Sequence, residues 1–123
     1  MLALPRPSRA ESDGRVRGRL AAGDAVVMPG GERVFVTGDA STMGVVRDPR
    51  VIGIDFEAIG KFAAQGKFLI DPIHTKAIYA WKDGQRLFIT YWCDVCSIRT
   101  YTPGTCWCCQ EETVLDLRER YDK

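Results

Sequence analysis

Five cysteines fall between positions 93 and 109 and none elsewhere in the chain. An odd, clustered set does not suit a disulfide framework, which spreads an even number of cysteines through a fold. The spacing is more specific. Cys93-Asp-Val-Cys96 and Cys106-Trp-Cys-Cys109 are two C-x-x-C pairs separated by nine residues. Each such pair can fold into a tight knuckle whose backbone N–H groups support the thiolates. Two facing knuckles offer the four sulfurs of a tetrahedral metal site. Ser97 to Tyr101 can run out as a strand, and Thr102-Pro-Gly-Thr105 can turn the chain back. The expected ligands are Cys93, Cys96, Cys106 and Cys109, holding one structural Zn²⁺. Pairing Cys106 with Cys108 is the rival arrangement. Copper(I) also favours thiolates, but two well-spaced pairs suit a tetrahedral ion. A c-type haem is excluded by Ser97 where that motif requires histidine. A redox C-x-x-C normally opens a helix in a βαβ setting, and neither flank reads that way.

The rest of the chain is β-rich. Ala25–Met28 and Arg33–Thr37 flank Pro29-Gly-Gly31 and are expected to pair as a hairpin. Gly38–Thr42 carries loop chemistry, and Gly44–Val46 and Val51–Ile54 read as short strands. Asp55–Gly66 fits both helical spacing and strand alternation. Its β-rich neighbours favour a hairpin turning at 63–66 into Lys67–Ile70. Lys76–Trp81 and Gln85–Trp92 surround Asp83-Gly84, the strongest hairpin signal in the chain. The predicted fold class is therefore all-β, a small, partly closed, OB-like β-barrel followed by a zinc-ribbon-like hairpin. The expected organisation is a flexible Arg/Pro-containing tail over 1–23, of which residues 1–20 are expected to be dispensable for the fold. A β-rich domain over 24–92 follows, and then a four-cysteine metal module with a C-terminal strand over 93–123.

Residues 86–117 resemble zinc ribbons and rubredoxin-like knuckle modules, on the strength of the two C-x-x-C pairs on a β-scaffold. That resemblance implies a four-cysteine metal site and no particular activity. Tyr91–Cys96 together with Pro103–Gln110 also resembles the tail of small bacterial proteins, some of them exported. As it stands the sequence reads as cytoplasmic. An export signal preceding this N-terminus would make it periplasmic.

For function, the 17 basic and 16 acidic residues give a net charge of +1. No long-range field draws nucleic acid or an acidic membrane surface. No apolar run approaches the ~20 residues of a membrane span. His74 is the lone histidine, and Asp55, Glu57, Asp71 and Asp83 form no pair marked by spacing. G-x-S-x-G, H-E-x-x-H and phosphate-loop motifs are missing. The chain reads as a non-enzymatic zinc-binding domain whose partner is a protein. Single-stranded nucleic-acid binding through Tyr91, Trp92 or Trp107 is one alternative. Thiol redox or metal handling through the surplus Cys108 is another.

Overall fold

Residues 15–20 alternate Arg-Val-Arg-Gly-Arg-Leu, and the alternation decides where they go. Val16 and Leu20 are fully buried while Arg15, Arg17 and Arg19 face solvent. The computed structural model, which describes residues 13–63 and 66–119, places them in strand β1 (Asp13–Ala21). The expected tail over 1–23 is thus corrected for its second half. An arginine on every second position hides a one-sided β-strand behind a charged composition. Residues 1–12 of that expected tail lie outside the described residues.

β1 is followed by β2 (Ala25–Val27), β3 (Arg33–Thr37), helix α1 (Ala40–Val46), β4 (Asp55–Phe62) and β5 (Lys67–Ile70). The expected 25–28/33–37 and 55–62/67–70 hairpins both form, Val26 pairing with Val34 and Phe62 with Phe68. β3 and β5 run parallel, Phe35 opposite Lys67. β1 pairs with β2 at its C-terminal end and with β4 from Asp13↔Lys61 to Arg19↔Asp55. The order β1-β2-β3-β5-β4 therefore returns to β1, and the five strands close a barrel. The expected all-β barrel is present, and its closure comes from the strand hidden in the arginine-rich segment. Two glycines let the barrel wall bend. A Cβ on Gly18 would lie 2.2 Å from the Val27 carbonyl oxygen, and one on Gly60 would lie 2.0 Å from that of Leu69. No side chain fits either approach.

The segment between β3 and β4 departs from expectation. Gly44–Val46 is part of α1, not a strand. Asp39 caps that helix, its Oδ1 accepting from Thr42 N at 2.8 Å. Thr42, Met43, Val45 and Val46 are buried, and the last three join the core cluster, so this face of the helix packs on the barrel interior. Packing overrides the β-preference of valine here. Val51–Ile54 likewise forms turns rather than a strand. The Asp48 carbonyl accepts from the Val51 and Ile52 amides, and the Val51 carbonyl from Ile54.

β6 (Ile78–Lys82) extends the sheet from β4, and β7 (Gln85–Cys93) returns against it. Asp83 and Gly84 have φ of 53° and 78°, as a primed turn demands. β8 (Ile98–Thr100) and β9 (Val114–Arg118) both pair with β7, Tyr91 facing Thr100 on one edge and Leu115 on the other. β7 therefore runs from the barrel extension straight into the first cysteine.

Candidate metal centre

β7 ends at Cys93, which is buried, and the chain turns at once. The Cys96 amide approaches Cys93 Sγ at 3.4 Å, and the Val95 amide also donates to it. The second knuckle repeats this pattern. The Cys108 amide approaches Cys106 Sγ at 3.4 Å, and the Cys109 amide also donates to that sulfur. In both, the first cysteine receives N–H groups from two and three residues on. The residue after each second cysteine adopts a left-handed conformation, φ 55° at Ser97 and 63° at Gln110. In this shared turn Cys106 and Cys109 stand where Cys93 and Cys96 stand in the first. The Gln110 amide closes the second turn onto the Cys106 carbonyl at 2.8 Å.

The sulfurs of Cys93, Cys96, Cys106 and Cys109 all lie within 4.8 Å of one another. Cys93 and Cys109 Sγ are 3.5 Å apart. A tetrahedral ion with Zn–S bonds of ~2.3 Å requires sulfurs about 3.8 Å apart, so this set can hold a metal ion with little adjustment. Cys108 stands outside the set and is exposed. The centre is compatible with a zinc-ribbon-like pair of knuckles.

The thiols are not equivalent. The Cys109 and Cys108 amides, working against burial, bring Cys106 down to about 7. Cys93 is lowered by the Cys96 amide, but burial and the thiols of Cys109 and Cys106 outweigh this and leave it raised. Cys96 is raised by the Cys108 thiol and by burial. Cys106 thus gives up its proton more readily than Cys93 and Cys96 do, and a metal ion binds all of them as thiolates.

The hairpin carrying the second knuckle is anchored to the barrel by polar contacts. Thr113 closes its base, donating through Oγ1 to the Gly104 carbonyl at 2.8 Å. Arg50 Nη1 donates to the Thr113 carbonyl at 2.7 Å and Nη2 pairs with Asp48 at 3.2 Å. Asp48 is buried and accepts from the Tyr91 hydroxyl at 2.7 Å. His74 Nε2 donates to the Tyr101 carbonyl at 2.7 Å, so the lone histidine serves as an anchor.

The aromatics divide sharply. Tyr91 is fully buried and cannot stack on a base, contrary to one expectation. Trp92 is half-buried beneath the Arg99 guanidinium, 4.8 Å from its ring centre. Trp107 is 75% exposed and Val95 72%, each inside a knuckle. Among the acidic candidates, Asp71 and Asp83 join no ion pair among the described residues, and Asp55 is held by Arg17 at 2.9 Å. Glu57 is the one that sequence reasoning undervalued. It is 1% exposed, and its carboxylate meets Arg15 at 2.8 Å, Arg86 at 2.9 Å and Trp81 Nε1 at 3.0 Å. The available signal was its place opposite Arg17 and Tyr79 in the register, which sequence alone does not give.

Together these observations define a closed β-barrel bearing a four-cysteine centre on a strand extension. No family model, curated protein or solved structure matches the chain.

Proposed function

We propose that this protein is a non-enzymatic domain in which one zinc ion, held by Cys93, Cys96, Cys106 and Cys109, stiffens a surface that docks a protein partner. The observation that carries the metal reading is the matched pair of knuckles with four sulfurs within 4.8 Å. Four thiolates complete the coordination shell and leave no position for a substrate, which makes the ion structural. Its binding free energy, on the order of 10–16 kcal/mol in small zinc modules, is comparable to the whole stability of a domain.

The docking role is supported by Trp107 and Val95, large apolar groups held out in solvent by the knuckles. Rigid exposed tryptophans are frequent anchors of protein interfaces. Charge indicates the partner. Between Cys93 and Thr113 the acidic residues are Asp94, Glu111 and Glu112 and the only basic one is Arg99. Zn²⁺ with four thiolates adds two further negative charges. This surface would repel phosphate and favour a partner segment that is basic with an apolar anchor. Single-stranded nucleic acid is the less favoured reading, because the exposed aromatic sits in negative surroundings.

Native mass spectrometry of protein purified without added metal should find one zinc per chain. Cys93→Ser and Cys106→Ser should lose it, and Cys108→Ser should keep it. A bare polypeptide mass would overturn the metal reading. Binding of a single-stranded oligonucleotide that is abolished by Trp107→Ala with metal retained would replace the protein partner with nucleic acid.

A further inference from the structure

A second apolar patch lies on the barrel wall. β3 and β5 run parallel, and each exposes every second residue: Arg33, Phe35 and Thr37 on β3, Lys67 and Leu69 on β5. With Phe35 opposite Lys67 and Thr37 opposite Leu69, Phe35 and Leu69 are diagonal neighbours on one face. Phe35 is 49% exposed and Leu69 47%, so two large apolar side chains stand together in solvent. Single exposed apolar residues are ordinary, but an adjoining pair with a polar rim has the pattern of a contact surface.

The rim of this pair is basic. Arg33 and Lys67 flank Phe35, and Lys61 of β4 lies opposite Leu69. All three are exposed, and none joins an ion pair among the described residues. Neither strand contains an acidic residue, Glu32 and Asp71 lying just beyond their ends. The four-cysteine hairpin has the opposite character. There Trp107 and Val95 are exposed in a segment that also exposes Asp94, Glu111 and Glu112. One chain thus carries both halves of a complementary pair, an acidic surface and a basic one, each with apolar anchors. β4 and β6 separate β5 from β7, which leads into the first knuckle, so the two surfaces do not overlap.

We propose that the partner docked by the four-cysteine hairpin is a second copy of this chain, which receives Trp107 on its Phe35–Leu69 face. This rests on the docking role of the hairpin proposed above and names its partner. Asp94, Glu111 and Glu112 face Arg33, Lys61 and Lys67 in the pair, which steers the encounter and sets the orientation. Burial of Trp107 against Phe35 and Leu69 anchors it. Using either patch twice, in a two-fold contact, would set like charges against each other. The contact is therefore head-to-tail, and copies add until a ring closes or a filament extends.

The test is sedimentation velocity of the metal-loaded full chain over a concentration series. The sedimentation coefficient should rise with concentration, and raising salt from about 50 mM to about 500 mM should weaken association about tenfold or more. Phe35→Ser/Leu69→Ser removes the anchors of the basic face, and Trp107→Ser removes that of the hairpin. Each variant alone should stay monomeric, with zinc content and melting temperature showing that it folds. Mixed, the two should form a complex that stops at one copy of each, because each supplies the surface the other lacks. Lys61→Glu/Lys67→Glu, which keeps the apolar pair, should also weaken association of the chain with itself. A wild type that is monomeric at every concentration would overturn the proposal, as would association retained by either anchor variant or a mixture that stays monomeric. The docking role is tested separately with a synthetic peptide alternating lysine and phenylalanine. A monomeric wild type that binds this peptide through Trp107 keeps the docking role and loses only self-association, whereas one that does not bind it loses both. A monomer that binds phosphatidylserine vesicles, with binding lost in Phe35→Ser/Leu69→Ser, gives the basic face to a lipid surface and likewise overturns the proposal.

Discussion

At the scale of single residues, the two positions after the second cysteines are the most informative. Ser97 and Gln110 hold positive φ, a conformation that costs an L-residue about 1–2 kcal/mol relative to glycine. Glycine there relieves that strain but adds freedom to the unfolded chain, so the effects partly cancel. Ser97→Gly and Gln110→Gly should each be neutral or stabilising by up to about 1 kcal/mol, with zinc retained. Thermal melts of metal-loaded variants read this directly, and a marked loss at either site would show that its side chain has a role the turn does not explain. Tyr91 and Asp48 make a second residue-scale argument. Burial alone would raise the Asp48 pKa, but hydrogen bonds from Tyr91 and Arg50 prevail and hold it below the ordinary carboxylate value. Arg47 lowers Asp24, and the Thr42 amide and hydroxyl lower Asp39. Folded pKa values lie below the unfolded ~3.9, so this stabilisation is present above that pH and is lost as pH falls through the folded values. Tyr91→Phe should cost about 1–3 kcal/mol near neutral pH, since it strips a partner from a buried carboxylate. Denaturant titrations at neutral pH and in acid below the unfolded carboxylate pKa should show the gap between variant and wild type narrowing on the acid side.

At the scale of elements, β1 and β4 carry the architecture. β1 is bonded on both edges, and β4 pairs with β1 on one edge and with β5 and β6 on the other. Gly60 permits the close approach of β4 to its antiparallel neighbour β5, where a methyl group would sit 2.0 Å from a backbone oxygen that cannot rotate away. Gly60→Ala should therefore destabilise by on the order of 1–3 kcal/mol, the range of core overpacking, or more if the barrel wall cannot yield. Urea unfolding gives the number. A change below about 0.5 kcal/mol, the size of an ordinary surface substitution, would mean that the strands slide apart freely at this point.

At the scale of the whole fold, the described residues form a barrel and a four-cysteine hairpin whose cysteines stand outside the central core cluster. The central core cluster draws on β1 to β7, with Leu115 and Leu117 of β9 packed against it, and contains no cysteine. The hairpin instead reaches the barrel through Arg50, Thr113, His74 and Tyr101. Metal removal should accordingly act in two parts. A strong zinc chelator at neutral pH should lower the melting temperature by several degrees and increase amide exchange over 94–113, while amides of β1, β4 and β5 stay protected. Exchange spreading at once through β1 and β4 would mean that barrel and centre fold as one unit.

The four-cysteine set was legible in the sequence because knuckle chemistry is local. A C-x-x-C turn brings its own amides to its own sulfur, and spacing alone presents the ligands. The Asp83-Gly84 hairpin was legible for the same reason, since two residues determine the turn. What the sequence left open depended on distant partners. Reading strands from β-branched residues fails for Gly44–Val46 and Val51–Ile54, whose valines and isoleucines join or pack against the core cluster from a helix and turns. β1 was hidden because three arginines dominate its composition, and only pairing with β2 and β4 gives its alternate valine and leucine a core to enter. Glu57 looked like solvated charge until three strands brought Arg15, Trp81 and Arg86 around it. Local chemistry determined the four-cysteine set, and tertiary pairing decided which strand closes the barrel, which tyrosine is buried and which tryptophan meets solvent. The difference is physical: a turn is set by neighbours along the chain, whereas burial is a property of everything packed around a residue.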